Sequence, residues 1–362
     1  MGKDERVREI SIFSKLLSRP EFGAVSGAVA ILLFFYVTVG DEGMFSALGV
    51  INVLELAAQL SIIAMAASLL MIGGEFDLSL GSMVGFAGVC VAISVEVFGL
   101  PIWAGVFVAL SVSLLVGYIN GILVITTRLP SFIVTLAMLF ILRGLCVVAI
   151  RGLTGRTQTY IPREMVETDW FAWLFAGKAF APLFQWMADA GIIDARPDGI
   201  PFVQGVPASI LWMIGILIFT TVMLGFTRFG NWIFATGGDE KSARNMGVPT
   251  ARVKILLFMG TSFSAALLAC IQVLSSASAD ALRGTLKEFE AIIAAVIGGA
   301  LLTGGYGSTV GAAVGAIIFA TIQQGIYYTG IDTDWFKVIL GGMVLFAVIF
   351  NNYLRHKVTG EK

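Results

Sequence analysis

Hydrophobic positions in this chain gather into blocks close to the ~20 residues that a helix needs to cross a bilayer. Polar positions collect between the blocks. Ten blocks stand out, at about 22–40, 53–73, 82–99, 102–126, 131–150, 208–226, 255–275, 289–304, 307–328 and 336–352. The pattern predicts an all-α polytopic membrane protein with about ten transmembrane helices, of which the eighth is the shortest. The first 21 residues read as an amphipathic, charged lead-in, too long before its apolar run for a cleavable signal.

One interruption organises the rest. Between the second and third blocks lies IGGEFDLSLGSMVGFAG, residues 72–88, in which Gly73-Gly74 and the polar Glu75, Asp77 and Ser79 break an otherwise apolar run. Bare carboxylates and unpaired backbone groups are expensive in lipid, so this stretch faces protein, water or an interface. Two readings fit: a turn between two membrane helices, or a half-buried loop lining a solute path.

Composition agrees with the pattern. Hydrophobic residues make up 57% and charged residues 13%, against about 25% charge in soluble domains. There are 42 glycines, a residue commoner in membrane helices than in soluble ones, and mean hydropathy is +0.91. The basic-aromatic stretches of a nucleic-acid partner are missing. Cys90, Cys146 and Cys270 sit in separate apolar runs, and a single histidine, His356, cannot complete a metal cluster.

Basic residues in short loops set the orientation. Lys3, Arg6, Arg8, Lys15 and Arg19 precede the first block, and Arg355, Lys357 and Lys362 follow the last, so both termini are expected in the cytoplasm. Arg128 and the basic stretch Arg228–Lys254 then fall inside, while Asp41-Glu42, Asp332 and Asp334 fall outside. Residues 152–207 form the largest insert and are placed outside, with Pro162, Pro182, Pro197, Pro201 and Pro207 among Trp170, Trp173 and Trp186. The insert is either an inert decoration or a platform for an external partner.

In the inside segment, TRFGNWIFATGGDEKSARNMGVPTARVK, Gly237-Gly238 break the chain and Asp239 caps a short helix through about Met246. Gly247 takes the C′ position, and Thr250 is expected to cap the seventh span. This segment is either a solvated connector or a rigid lever for a cytoplasmic partner. Later, EAIIAAVIGGALLTGGYGSTVGAAVGAII carries Gly307, Gly311 and Gly315 at four-residue spacing, repeated in Gly81/Gly85 and Gly117/Gly121. That spacing predicts close helix packing. The block misses the dinucleotide fingerprint by a residue and has no P-loop lysine. Polar residues inside the blocks are Gln59, Asn120, Arg143, Gln272, Glu290, Gln323 and Gln324. Each Gln or Asn is open to two roles, an interhelical hydrogen bond or contact with a polyhydroxylated solute. Arg143 is expected to face protein, water or an acidic partner, for which Asp77 and Glu290 are the candidates.

Four ordered stretches resemble one family. GGEFDLSLGS at 73–82 is similar to the G-G-x-x-D-L-S-x-G-S signature of permease subunits of monosaccharide ATP-binding-cassette importers, the ribose permease family. ATGGDEKSARNMGVPTARVKI at 235–255 resembles its cytoplasmic loop, EAIIAAVIGGALLTGGYGSTVGAAVGA at 290–316 its late glycine block, and TLAMLFILRGL at 135–145 its fifth-span segment. Asp239 departs from the usual Asn, adding a charge at the expected coupling surface, and the 152–207 insert is longer than in short members.

The resemblance implies a transmembrane domain over 22–352, a coupling loop over 227–254, a periplasmic insert over 152–207 and a cytoplasmic tail over 353–362. It implies a bacterial inner-membrane subunit without catalytic residues, paired with a second permease copy or paralogue. Two ATPase domains would hold ATP and Mg, and a periplasmic binding protein would deliver a pentose, hexose, inositol or small polyol. Contact with the ATPase falls on Gly237, Gly238, Asp239, Glu240, Ala243, Arg244 and Gly247. The candidate translocation path comprises Glu75, Asp77, Ser79, Gln59, Asn120, Arg143, Gln272 and Glu290. Rival readings are an ion-coupled secondary transporter working through Asp77 or Glu290, a permease for branched-chain amino acids or nucleosides, and a membrane scaffold or receptor.

Overall fold

The computed structural model describes residues 20–332 and, beyond them, Trp335, Phe336, Val338, Ile339, Gly341–Met343, Leu345 and Ile349. The basic residues of both termini lie outside these, as does most of the tenth expected span. The long helices are α1 (Pro20–Val39), α2 (Ala47–Ile72), α3 (Leu80–Glu96), α4 (Ile102–Thr127) and α5 (Ser131–Thr154). An insert follows, with β1 (Gln158–Tyr160), α6 (Arg163–Thr168), α7 (Trp173–Ala176), β2 (Lys178–Ala179), α8 (Ala181–Asp189) and β3 (Val206–Pro207). Then come α9 (Ala208–Phe226), α10 (Arg228–Gly238), α11 (Glu240–Asn245), α12 (Thr250–Ser276), β4 (Ser278–Asp280), α13 (Lys287–Ile297) and α14 (Thr309–Tyr328).

Seven helices among the described residues, α1, α2, α4, α5, α9, α12 and α14, are long and apolar enough to span, and the 17-residue α3 is a shorter apolar helix. The molecule is multi-pass. The expected eighth span, 289–304, is corrected: α13 has 11 residues, about 16 Å at 1.5 Å per residue, half of a ~30 Å hydrocarbon core. The Gly298-Gly299 pair ends it, with Gly299 at φ +92°, and a loop runs to Thr309. The chain still passes between opposite faces here. Before α13, β4 pairs with β1 beside the insert, and after it Gly305 N–H donates to Ile72 O at the far end of α2.

These two faces are called the insert face and the connector face, the latter carrying α10 and α11. In the most apolar stretch of α2, 72% of residues are buried, and in α12 67%, against 17% in α1 and 22% in α5 and α9. Helices α2, α3, α12 and α14, the last also 67% buried, form the core, and α1, α5 and α9 present apolar side chains outward, as a bilayer solvent allows. The exposed Phe34, Phe140, Phe219 and Leu145 lie on these outer helices.

Small residues permit a close crossing between α13 and α14. A Cβ on Gly311 would fall 1.9 Å from Gly298 O, and one on Gly315 2.0 Å from Ala294 O. Gly307, expected on the same helix face, instead lies in the loop before α14 at φ +155°. Gly81 faces Gly284 and the first turn of α13, and Gly85 the turn before it, since Cβ atoms there would meet Glu288 Oε2 and Arg283 O.

Candidate functional site

The 73–79 break forms the first of two polar centres. Helix α2 ends at Ile72, and Gly74 reverses the chain at φ +85°. The loop then turns inward, so Glu75, Asp77 and Ser79 are 8%, 6% and 0% exposed. Its backbone is satisfied by side chains of α5: Phe76 N–H donates to Ser131 Oγ and Leu78 N–H to Thr135 Oγ1, each at 3.0 Å. Asp77 accepts from Ser79 N–H (2.9 Å), Ser79 Oγ (2.5 Å) and Thr261 Oγ1 of α12 (2.6 Å). Asn120 Nδ2 of α4 donates to Ser79 Oγ at 3.0 Å. One carboxylate thus ties the start of α3 to α12, and through Ser79 to α4. Asp77→Ala, which strands these buried donors, is expected to lower stability by about 3 kcal/mol, read as thermal unfolding in detergent. An unchanged melting temperature would remove Asp77 as the organiser of this loop.

Glu75 turns the other way. Its Oε1 accepts from Lys254 Nζ at 2.5 Å, and Lys254 also reaches Glu240 Oε2 of α11 at 2.7 Å. Glu240 in turn pairs with Arg244 at 2.5 Å. A chain of four charges therefore runs from α11 to the inward-turning loop. It borders a cavity of about 530 Å³ at the connector face, lined also by Arg128.

Helix α11 begins as its sequence predicts. Asp239 accepts from the N–H groups of Lys241 (2.9 Å) and Ser242 (3.1 Å), and Ser242 Oγ donates to its second oxygen at 2.8 Å. The Ser242 backbone and hydroxyl bonds hold this exposed carboxyl below its ordinary range. A depressed folded-state value means the cap is intact above the ordinary carboxylate range and is lost as pH falls through the lower value. Gly247 sits at φ +85° after the helix. Two details differ from the sequence reading. Thr250 is the first residue of α12 rather than its cap, with Pro249 before it and no side-chain cap bond. A second helix, α10, precedes α11, capped by Thr227 Oγ1 accepting from Gly230 N–H at 3.2 Å. Its signal was present in Thr227 and in the helical spacing of Gly230, Ile233 and Thr236, its buried face.

Three glycine pairs meet where α10 ends. A Cβ on Gly237 would stand 1.7 Å from Ile72 O and 2.7 Å from Gly305 N, and one on Gly304 2.9 Å from the Gly74 Cα. The three glycine-rich stretches of the sequence are thus one junction at the connector face.

The second polar centre lies deeper toward the insert face. Gln59 Nε2 of α2 donates to Glu55 at 3.5 Å, and Gln272 Nε2 of α12 donates to Gln59 Oε1 at 2.9 Å. Gln59, Gln272, Glu290 and Gln323 line one cavity together with Lys287, and Lys287 is ion-paired to Glu290. The cavity is about 20 Å³, room for one water, so the space between these glutamines is pinched. Lys287, Glu55, Lys254 and Thr261 were missed as site residues in the sequence. Only spatial neighbours distinguish them from ordinary terminal or packing residues.

Arg143 belongs to neither centre. Its Nη1 donates to the carbonyls of Ala281 (2.7 Å) and Arg283 (3.0 Å), not to Asp77 or Glu290. The 281–286 segment is a non-helical turn whose free carbonyls bind the guanidinium, so of its three expected surroundings Arg143 has protein rather than water or an acidic partner. Nearby, Glu288 is 5% exposed and its Oε2 has no hydrogen-bond partner.

Residues 49–348 match the family described as Branched-chain amino acid transport system / permease component. The chain belongs to this family. Over 92% of each chain, the permease is 30% identical to the xylose transport system permease protein of Escherichia coli (strain K12). It is 28% identical to the ribose import permease protein of the same strain, over 89% of this chain and 91% of that one. It is also 28% identical to the xylose/arabinose import permease protein of Sulfolobus acidocaldarius, over 94% and 87%. As a permease component it is a membrane subunit and carries no catalytic role.

Proposed function

We propose that this permease passes a monosaccharide or small polyol across the bacterial inner membrane as the membrane subunit of an ATP-driven importer. The observation that carries the substrate class is the ladder Glu55–Gln59–Gln272 beside Gln323. Neutral amides donate and accept at once, which suits hydroxyls. The xylose, ribose and xylose/arabinose permeases among its relatives support the same class. At the glutamine constriction a leucine-type zwitterion would need free partners for its ammonium and its carboxylate, and Glu290 there is already held by Lys287.

In this reading the connector face is cytoplasmic, with both termini on that side. The coupling loop of 227–254 receives an ATPase domain at α11, and the insert of 152–207 is periplasmic. A second permease subunit, two ATPase domains that hold ATP and Mg, and a periplasmic sugar-binding protein complete the importer. Motion at α11 reaches the membrane through Glu240, Lys254 and Glu75. ATP and the delivering protein bias the two states only as far as they bind them unequally.

The test is reconstitution in vesicles with the co-purifying ATPase and binding protein. Uptake of labelled xylose, ribose or arabinose is expected with ATP and absent without it. Uptake by the chain alone under a proton or sodium gradient would replace this reading with a secondary transporter. Arg244→Glu adds a check on the coupling surface. The Arg244 side chain is 66% exposed, and exposed pairs contribute at most about 1 kcal/mol, so folding is expected to persist while ATPase co-purification and uptake are lost. Wild-type uptake in this variant would move the docking surface elsewhere.

A further inference from the structure

The insert is built into the fold rather than hung from it. Trp212 Nε1 of α9 donates to Leu174 O at 2.8 Å, and the Trp212 ring stacks on Phe175 at 5.8 Å with a 20° interplanar angle. Strand β2 pairs with β3 directly ahead of α9, and Ile161 N–H donates to Ala277 O at 3.0 Å. Ala172 and Phe175 belong to the same buried apolar cluster as residues of α2 and α12. These contacts border an open chamber of about 540 Å³ at the insert-face ends of α2, α9 and α12. That lies within the size range of small-molecule sites.

Glu55, Arg163, Glu167, Lys178, Gln204 and Ser209 give the chamber its polar lining, and Trp173 and Phe175 give an aromatic surface. Two acids and two bases cancel, so no field of one sign favours an ion. Lys178 Nζ donates to Gln204 Oε1 at 3.0 Å. Ser209 is 1% exposed, yet its Oγ has no hydrogen-bond partner. Buried hydroxyls are nearly always paired, so this one has capacity for a further partner. Glu55 joins the chamber to the deeper centre, because it also accepts from Gln59 at the top of the glutamine ladder.

We infer that the insert forms an antechamber that holds a neutral polyhydroxylated solute of monosaccharide size before it enters the glutamine constriction. This rests on the sugar-permease reading and assigns the insert its part in it. Each hydroxyl donates and accepts, so one sugar satisfies the carboxylates of Glu55 and Glu167 and the donors of Arg163, Lys178 and Gln204 together. A simple anion or cation would leave one set facing its own sign, and a zwitterion such as leucine, which meets both sets, is the control that separates hydroxyl recognition from charge pairing. The apolar face of a sugar ring covers Trp173, which is 53% exposed.

The full chain in lipid nanodiscs is titrated with D-xylose and D-ribose, with intrinsic tryptophan fluorescence as the readout and leucine as the control solute. A saturable change is expected with a pentose and none with leucine. Trp173→Phe abolishes it, Lys178→Met shifts its midpoint about tenfold, the factor of a contact worth ~1.4 kcal/mol, and Trp232→Phe at the connector face retains it. A sugar response that survives in Trp173→Phe overturns the inference. So does the lack of any response in a chain whose reconstituted importer takes up that sugar, and in that case the sugar-permease reading stands. Failure of ATP-driven uptake by the wild-type importer overturns the permease reading itself.

Discussion

Gly237→Ala is expected to abolish ATP-driven uptake and to lower the melting temperature, while Gly238→Ala keeps the wild-type melting temperature. The two glycines are adjacent and look alike in sequence. A Cβ on Gly237 would stand 1.7 Å from Ile72 O and 2.7 Å from Gly305 N, whereas one on Gly238 would meet nothing within 4 Å. Ile72 O is also the acceptor of the Gly305 N–H bond at 2.8 Å. A methyl group at Gly237 therefore pushes the end of α10 off the end of α2 and breaks the tie to the 298–308 loop. Overpacking costs about 1–3 kcal/mol, and losing a backbone bond adds about 1 kcal/mol. The obstacle here is backbone, which cannot rotate away as a side chain can. Equal thermal stability in the two variants would show that the junction is not tight.

Lys254→Met is expected to cost about 3–5 kcal/mol, the range for removing one partner of a buried ion pair. The side chains of Lys254 and Glu75 are 12% and 11% exposed, and that of Glu240 is 36% exposed. The loss therefore falls mainly on Glu75, left charged without its cation, and less on Glu240, which water reaches. Glu75→Gln in the same chain removes that charge and is expected to restore much of the stability. It does not restore uptake, because α11 then lacks its tie to the inward-turning loop. Detergent melting of the single and double variants, beside uptake in vesicles, reads the two effects separately. A double variant as unstable as Lys254→Met would mean that Glu75 is not the group stranded.

Asp77 and Glu75 stand two residues apart in one motif, but their side chains serve opposite directions. Asp77 binds α3 to α12 inside the bundle, and Glu75 reaches out to Lys254 and α11. Both were read from the sequence as lining a path. Glu75 lies between the connector face and the core, while Gln59, Gln272 and Glu290 converge at the separate centre toward the insert face.

The sequence alone determined the features that depend on local chemistry. Runs of apolar residues must become helices in lipid because their backbone groups have no other partner, so 102–126, 131–150 and 208–226 were recognisable nearly to their ends. Asp239 before a helical run and Gly247 after it set the limits of α11 through bonds within a few residues. Tertiary structure alone decided what depends on distant partners. An apolar stretch at 289–304 reads as a span, but the Gly298-Gly299 turn and the approach of α14 make it a half-helix. Arg143 is satisfied by carbonyls some 140 positions away, which no periodicity announces. The glutamines at 59 and 272, 213 positions apart, meet because α2 and α12 pack side by side in the core, and that meeting exists only once the bundle has formed.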